Sequence, residues 1–197
     1  MKLLIATTNS GKLREIREVL AGPVIEIVTL ADYHDIEPPD EVGSTFEENA
    51  RTKALYYSAR TLLPTVAEDS GLEVDALGGK PGVQSSRFGG AGTSYARKFQ
   101  LLYEALAAVG SVNSPARFVC AVALVRDSRV IFEARGTVDG QVATTPRGQG
   151  GFGYDPIFFY PPFGCTLAEA GSRKQHVSHR AKAFTRLKEF LEGDLGK

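Results

Sequence analysis

The spacing of apolar residues changes several times along the chain, and each change marks an element. Lys2 to Thr7 is a short apolar run without helical spacing and predicts a strand. A polar turn, Thr8-Asn9-Ser10-Gly11, follows. From Leu13 the apolar residues fall at Leu13, Ile16, Val19 and Leu20, with charges between, which predicts a helix capped by Asn9 or Ser10 and stopped at Gly22-Pro23. Val24 to Leu30 reads as a second strand, and the polar, acidic residues 31–43 as a loop. Thr45-Phe46-Glu47-Glu48 has the form of a capping box, opening a helix to about Arg60 with Phe46, Ala50, Ala54 and Tyr57 on one face. A strand from Pro64 runs into Glu68-Asp69-Ser70-Gly71. Ser94 to Val109 predicts a helix, with Phe99, Leu102 and Leu106 inward. Ala116–Arg126 and Arg129–Val138 form a long hairpin across Asp127-Ser128. A glycine-rich loop leads into Ile157-Phe158-Phe159, and a last helix spans Ser178 to Leu191 with Phe184, Leu187 and Leu191 inward. Strand–helix units combined with a hairpin indicate an α/β domain with a mixed sheet.

Composition narrows this picture. The 197 residues suit one domain with a substantial core. Lys plus Arg and Asp plus Glu are both 23, so the net charge is zero, which argues against a protein that coats nucleic acid by bulk charge. No apolar run approaches a bilayer span of about 20 residues. Two cysteines, Cys120 and Cys165, without a Cys-x-x-Cys pair or a His/Cys cluster, argue against a zinc site and fit a reducing cytoplasm.

Four groups of residues can carry chemistry. Thr7, Thr8, Asn9, Ser10, Gly11 and Lys12 lie between a strand and a helix N-terminus, where free N–H groups and a lysine favour an anion; a plain capped turn has the same pattern. Asp40, Glu41, Glu68 and Asp69 are hard oxygen donors of the kind that suit Mg²⁺ or Mn²⁺, or else a solvated acidic surface. Neighbours on a strand face opposite ways, so Glu68 and Asp69 meet at one site only if the strand breaks at Ser70. Arg173 to Arg180 holds two of the three histidines and three cations, the pattern of an anion- and base-recognition strip or of a basic surface turn. Gly151-Phe152-Gly153-Tyr154-Asp155 can present a ring face to a ligand or tuck it into the core. Together these signals point to a nucleoside triphosphate.

Six blocks in order carry a resemblance: Ala6–Lys12, Thr45–Ala50, Glu68–Leu72, Leu77–Gly82, Gly150–Pro156 and Ser178–Arg180. Over nearly its whole length the chain resembles the Ham1-like inosine triphosphate pyrophosphatases. The resemblance implies a single two-lobed α/β domain over residues 1–197, with a long central mixed sheet flanked by helices and the active site in the cleft between lobes. It implies a cytoplasmic homodimer that needs Mg²⁺, with Mn²⁺ as substitute. The implied reaction converts ITP, dITP or XTP to the monophosphate and pyrophosphate, clearing such nucleotides before they enter DNA or RNA. Thr7 to Lys12 and Lys174 are implied to hold phosphates, Asp69 to accept a proton, and Glu41 with Glu68 or Asp69 to hold metal. Ser70, Phe152, Gly153, Tyr154, Asp155, His179 and Arg180 are implied to touch the nucleotide. Bacterial relatives often have Asp where this chain has Glu68, and Gly where it has Thr8.

This assignment makes chemical sense. Anhydride hydrolysis needs charge neutralised and water oriented, which cations and Asp69 would supply. Donors on His179 and Arg180 would pair with a purine O6 and clash with an adenine amino group. A regulator without catalysis, a serine hydrolase built on Ser70 and an RNA-binding module are the rival classes. The serine reading lacks the Gly-x-Ser-x-Gly elbow, and the RNA reading lacks both positive charge and an aromatic RNA motif. The zero net charge also hides segregation. Glu18 to Ala50 holds nine acids and no Lys or Arg, while Ala168 to Lys188 holds six Lys or Arg and one acid. Such a chain is expected to set a metal-binding wall against a phosphate-binding one.

Overall fold

The computed structural model describes residues 1–22 and 25–195. Its strands are β1 (Lys2–Ile5), β2 (Glu26–Thr29), β3 (Thr65–Val74), β4 (Pro115–Arg126), β5 (Arg129–Val142), β6 (Phe158–Tyr160) and β7 (Cys165–Thr166). Its helices are α1 (Ser10–Leu20), α2 (Phe46–Thr61), α3 (Tyr95–Ala108), α4 (Lys174–Val177) and α5 (His179–Leu195). The strands form one seven-stranded sheet in the order β2-β1-β3-β4-β5-β6-β7. β1 pairs in parallel with both β2 and β3, whereas β5–β6 and β6–β7 are antiparallel, so the sheet is mixed as expected.

Local chemistry explains where the elements start and turn. Asn9, Thr45 and Ser94 each cap a helix by accepting from the amide three residues on, at Lys12, Glu48 and Arg97. Asp127 and Ser128 both adopt positive φ, 51° and 60°, which matches the two-residue turn a twisted hairpin needs. Some boundaries differ from the sequence reading. β3 does not break at Ser70 but continues to Val74, because Leu72 and Val74 supply further buried side chains. β2 is described only from Glu26, and the expected helix stop at Pro23 and strand start at Val24 lie outside the described residues. A short α4 precedes α5, where one helix start was expected.

The chain divides into two compact units. The first comprises residues 1–69, 120–136 and 179–197, and the second 70–119 and 137–178. The core of the first gathers Leu3 and Ile5 of β1, Ile16 and Leu20 of α1, Val66, Cys120 and Val122 of the central strands, and Phe184, Leu187 and Leu191 of α5. That of the second gathers Leu72 and Val74, Phe99, Leu102 and Leu106 of α3, Phe118, Val138, Tyr154 and Phe158. In the first unit, Gly136 of β5 lies against the His179 carbonyl and the Ala183 amide, so β5 and the start of α5 approach backbone to backbone. Among the described residues no helix is long and apolar enough to cross a membrane.

Candidate active site

In the first unit, the strand alternation of β3 separates its two adjacent carboxylates. Asp69 faces α2, where the Asn49 Nδ2 donates to its Oδ2 at 2.9 Å and the Lys53 ammonium lies 3.5 Å from its Oδ1. Lys53 also donates to Glu41 Oε1 at 2.7 Å, so Glu41 and Asp69 converge on one cation. Asn49 works in two directions. Its Oδ1 accepts from the Gly43 amide at 2.9 Å, which ties the acidic loop carrying Glu41 to the same side chain that holds Asp69. A side chain at Gly43 would begin 2.5 Å from that oxygen, so only glycine allows the approach.

Glu68 meets different groups. Its Oε1 lies 2.8 Å from Lys12 Nζ and 3.4 Å from an Arg180 nitrogen, and its Oε2 accepts from the Cys120 thiol at 3.3 Å. The other terminal nitrogen of Arg180 meets Glu15 Oε2 at 2.6 Å. Opposed environments produce opposed acidities. Burial by itself would raise Glu68, but Arg180 and Lys12 outweigh it and hold this carboxyl well below the usual carboxylate range. Burial dominates at Asp69 and lifts it above its ordinary value, against the pull of Lys53 and Asn49. Burial also disfavours the Lys53 charge, yet Asp69 and Glu41 together keep that ammonium above its ordinary value.

The anion turn forms as expected. Asn9 Oδ1 accepts from the Lys12 amide, the Asn9 amide donates to Thr7 Oγ1, and Thr8, Asn9 and Ser10 are exposed beside Gly11 and the half-buried Lys12. Asp40 is exposed, while Glu41 is half-buried.

The second unit holds the aromatic loop and part of the basic strip. Lys174 is buried, forms a 2.6 Å ion pair with Asp155 Oδ2, and stands 4.7 Å over the Phe152 ring. The same Asp155 oxygen accepts from the Phe152 amide at 2.8 Å and packs against Gly151. Tyr154 is buried, its ring edge-on to Tyr95 and its hydroxyl donating to the Ser85 carbonyl at 2.9 Å. Lys98 donates to the Ser86 carbonyl at 2.6 Å, adding a second tie to that turn. Lys174 therefore meets Asp155 and Phe152, a setting that orders the aromatic loop. Ser70 and Gly153 are half-buried.

Two residues implied to touch the nucleotide are buried in the first unit. Arg180 is only 1% exposed, and its two terminal nitrogens meet Glu68 and Glu15. His179 is likewise buried, at the first turn of α5. The sequence alone assigns no site role to Glu15, Asn49, Lys53 or Cys120. Asn49 and Lys53 had a signal, since i,i+4 spacing puts two polar residues on the same side of α2, among apolar neighbours that are buried.

Residues 3–190 match the Ham1 family. This chain belongs to the Ham1 family. It is 45% identical to a dITP/XTP pyrophosphatase of Geobacillus kaustophilus, covering 99% of this chain and 96% of that one. A dITP/XTP pyrophosphatase of Thermus thermophilus is also 45% identical, over 96% of this chain and 91% of that one. Among solved structures, a HAM1 protein from Coxiella burnetii superposes with a TM-score of 0.90 at 36% identity, covering 98% of this chain and 99% of that one. The Staphylococcus aureus Ham1 protein gives 0.87 at 34%, with coverage of 98% and 100%. The α/β fold with its mixed seven-stranded sheet is thus the Ham1 fold.

Proposed function

We propose that this Ham1-family chain hydrolyses ITP, dITP and XTP to the nucleoside monophosphate and pyrophosphate, removing deaminated purine nucleotides before polymerases use them. The observation that carries this reading is the convergence of Glu41 and Asp69 on a single cation, the Lys53 ammonium. It stands beside near-full-length similarity to proteins named for that reaction.

A hard divalent ion, Mg²⁺ with Mn²⁺ as substitute, fits this donor set, because two carboxylates already address one positive charge and all donors are oxygens. Glu41 and Asp69 would hold it. When bound, it would neutralise phosphate charge and lower the pKa of water. Lys12 and the amides of Thr7–Gly11 bind phosphate oxygens. Asp69, lifted by burial towards the working range of a base, accepts the proton of the attacking water. Asn49 fixes Asp69 Oδ2, and the Lys53 ammonium, 3.5 Å from Oδ1, orients the other oxygen. Ser70, Phe152, Gly153, Tyr154, Asp155, Lys174, His179 and Arg180 contact the nucleotide. Asp155 and Lys174 hold Phe152 in place for stacking. The protein works as a homodimer in the cytoplasm, a reducing compartment that its free thiols, Cys120 and Cys165, suit.

The test is pyrophosphate release from ITP, dITP, XTP and the four common ribonucleoside triphosphates, with and without Mg²⁺. Metal-dependent release that favours the deaminated purines is expected. Release of orthophosphate, or no preference over ATP and GTP, overturns the reading. Size-exclusion chromatography checks the dimer.

A further inference from the structure

Glu68 stands where a metal ligand was expected beside Asp69, yet its partners describe another task. Its side chain is 1% exposed, and three donors from three elements meet it: Lys12 from α1, Arg180 from α5 and Cys120 from β4. Arg180 also reaches Glu15 of α1, so the two cations and two carboxylates of this cluster balance. Of the two cations, Lys12 is the one that reaches solvent, with 19% of its side chain exposed, in the turn read as the phosphate site. A carboxylate enclosed in this way has both oxygens engaged by protein donors.

We propose that Glu68 is a positioning residue, whose buried carboxylate holds the Lys12 ammonium in place for substrate phosphate, and that the Cys120 thiol fixes that carboxylate by donating to its second oxygen. This rests on the phosphate-binding reading of the Thr7–Lys12 turn and goes beyond it in assigning Glu68 and Cys120. A thiol suits the position. It behaves as a small apolar group in the cluster that holds Val66, Val122 and Leu124, yet it still offers a hydrogen to an oxygen that would otherwise face the core. Neither an aliphatic side chain nor alanine offers that hydrogen, whereas serine does.

The test uses the full chain as wild type, Cys120→Ala, Cys120→Ser and Glu68→Gln. Thermal unfolding first establishes which variants fold. Two readouts follow: steady-state hydrolysis of ITP over a range of Mg²⁺, and calorimetric binding of inorganic pyrophosphate without metal. Cys120→Ala is expected to raise KM and weaken pyrophosphate binding by about fivefold, with kcat within about twofold, because a displaced Lys12 costs binding. Cys120→Ser is expected to restore both to within about twofold of wild type. Glu68→Gln is expected to leave the half-saturating Mg²⁺ concentration unchanged. Three results overturn the proposal: alanine matching wild type in both readouts, alanine and serine impaired equally, or Glu68→Gln raising the Mg²⁺ requirement about tenfold. If Glu68→Gln does not fold, the alanine–serine pair decides. A wild type that binds pyrophosphate but hydrolyses no triphosphate refutes the proposed reaction alone, and the binding comparison still decides the roles of Glu68 and Cys120. A wild type that binds no pyrophosphate overturns the present inference.

Discussion

Replacing Asn49 with alanine probes the link between the acidic loop and Asp69. The side chain is 2% exposed and makes two hydrogen bonds, one donated to the Asp69 carboxylate and one accepted from the Gly43 amide. A bond to a charged acceptor contributes about 1.5–3 kcal/mol, and leaving the Gly43 amide without its acceptor costs about 1 kcal/mol more. The expected loss is therefore about 3 kcal/mol, or a fall in Tm of about 6–12 °C for a chain of this size. Part of that loss belongs to Gly43, so a double-mutant cycle with Asp69→Ala isolates the contact with the carboxylate. Four proteins measured by urea unfolding should give a coupling of about 2 kcal/mol. The same substitution should lower kcat for ITP by more than about tenfold, equivalent to about 1.4 kcal/mol of barrier, because Asp69 loses its orientation. A coupling below about 0.5 kcal/mol, the scatter expected of independent sites, refutes the idea that Asn49 holds Asp69.

Asp69→Asn should bind nucleotide but lose most turnover, and kcat within about tenfold of wild type would remove Asp69 from the role of base. The same variant has a pH signature. Asp69 titrates above its ordinary 3.8 in the folded chain, so the wild type loses stability as pH rises from that value through the raised one. The Tm advantage of Asp69→Asn should therefore be larger near about pH 7.5 than near about pH 4.5, and an advantage that shrinks with rising pH contradicts the burial argument. Arg180→Met leaves Glu68 and Glu15 without their guanidinium and should cost about 3–5 kcal/mol in urea unfolding; a cost under about 1 kcal/mol would show the cluster to be solvated. Gly136→Ala places a methyl group against the His179 carbonyl and 2.7 Å from the Ala183 amide nitrogen. Backbone must move there, so a loss of about 1–3 kcal/mol by thermal unfolding is expected, and an unchanged Tm would show that α5 is free to shift.

Much of the fold is legible in the sequence because its signals are local. Asn9, Thr45 and Ser94 sit where the helices start, Asp127-Ser128 makes the hairpin turn, and Phe99, Leu102 and Leu106 mark a buried face that the structure confirms. The end of β3 was not legible, since Ser70-Gly71 has the composition of a turn and only tertiary burial of Leu72 and Val74 carries the strand onward. At the site, strand alternation predicts that Glu68 and Asp69 diverge, and they do. What each then meets comes from long-range pairings: Glu68 with Arg180 lies 112 positions apart and Glu15 with Arg180 lies 165 apart. No spacing rule reaches across such intervals, so neither the contact of Glu15 with Arg180 nor that of the Cys120 thiol with Glu68 can be read from the sequence.

The double engagement of Asn49 also couples local motion to competence. If the Gly43 amide is released only when Asn49 turns away, the opening that exposes this amide to solvent is the same event that frees Asp69 from its donor. Hydrogen exchange at one backbone position then counts the fraction of molecules whose base is out of register. Nucleotides that slow that exchange would be those that order the acidic loop, so ligands could be ranked by their grip on the catalytic arrangement without a single turnover.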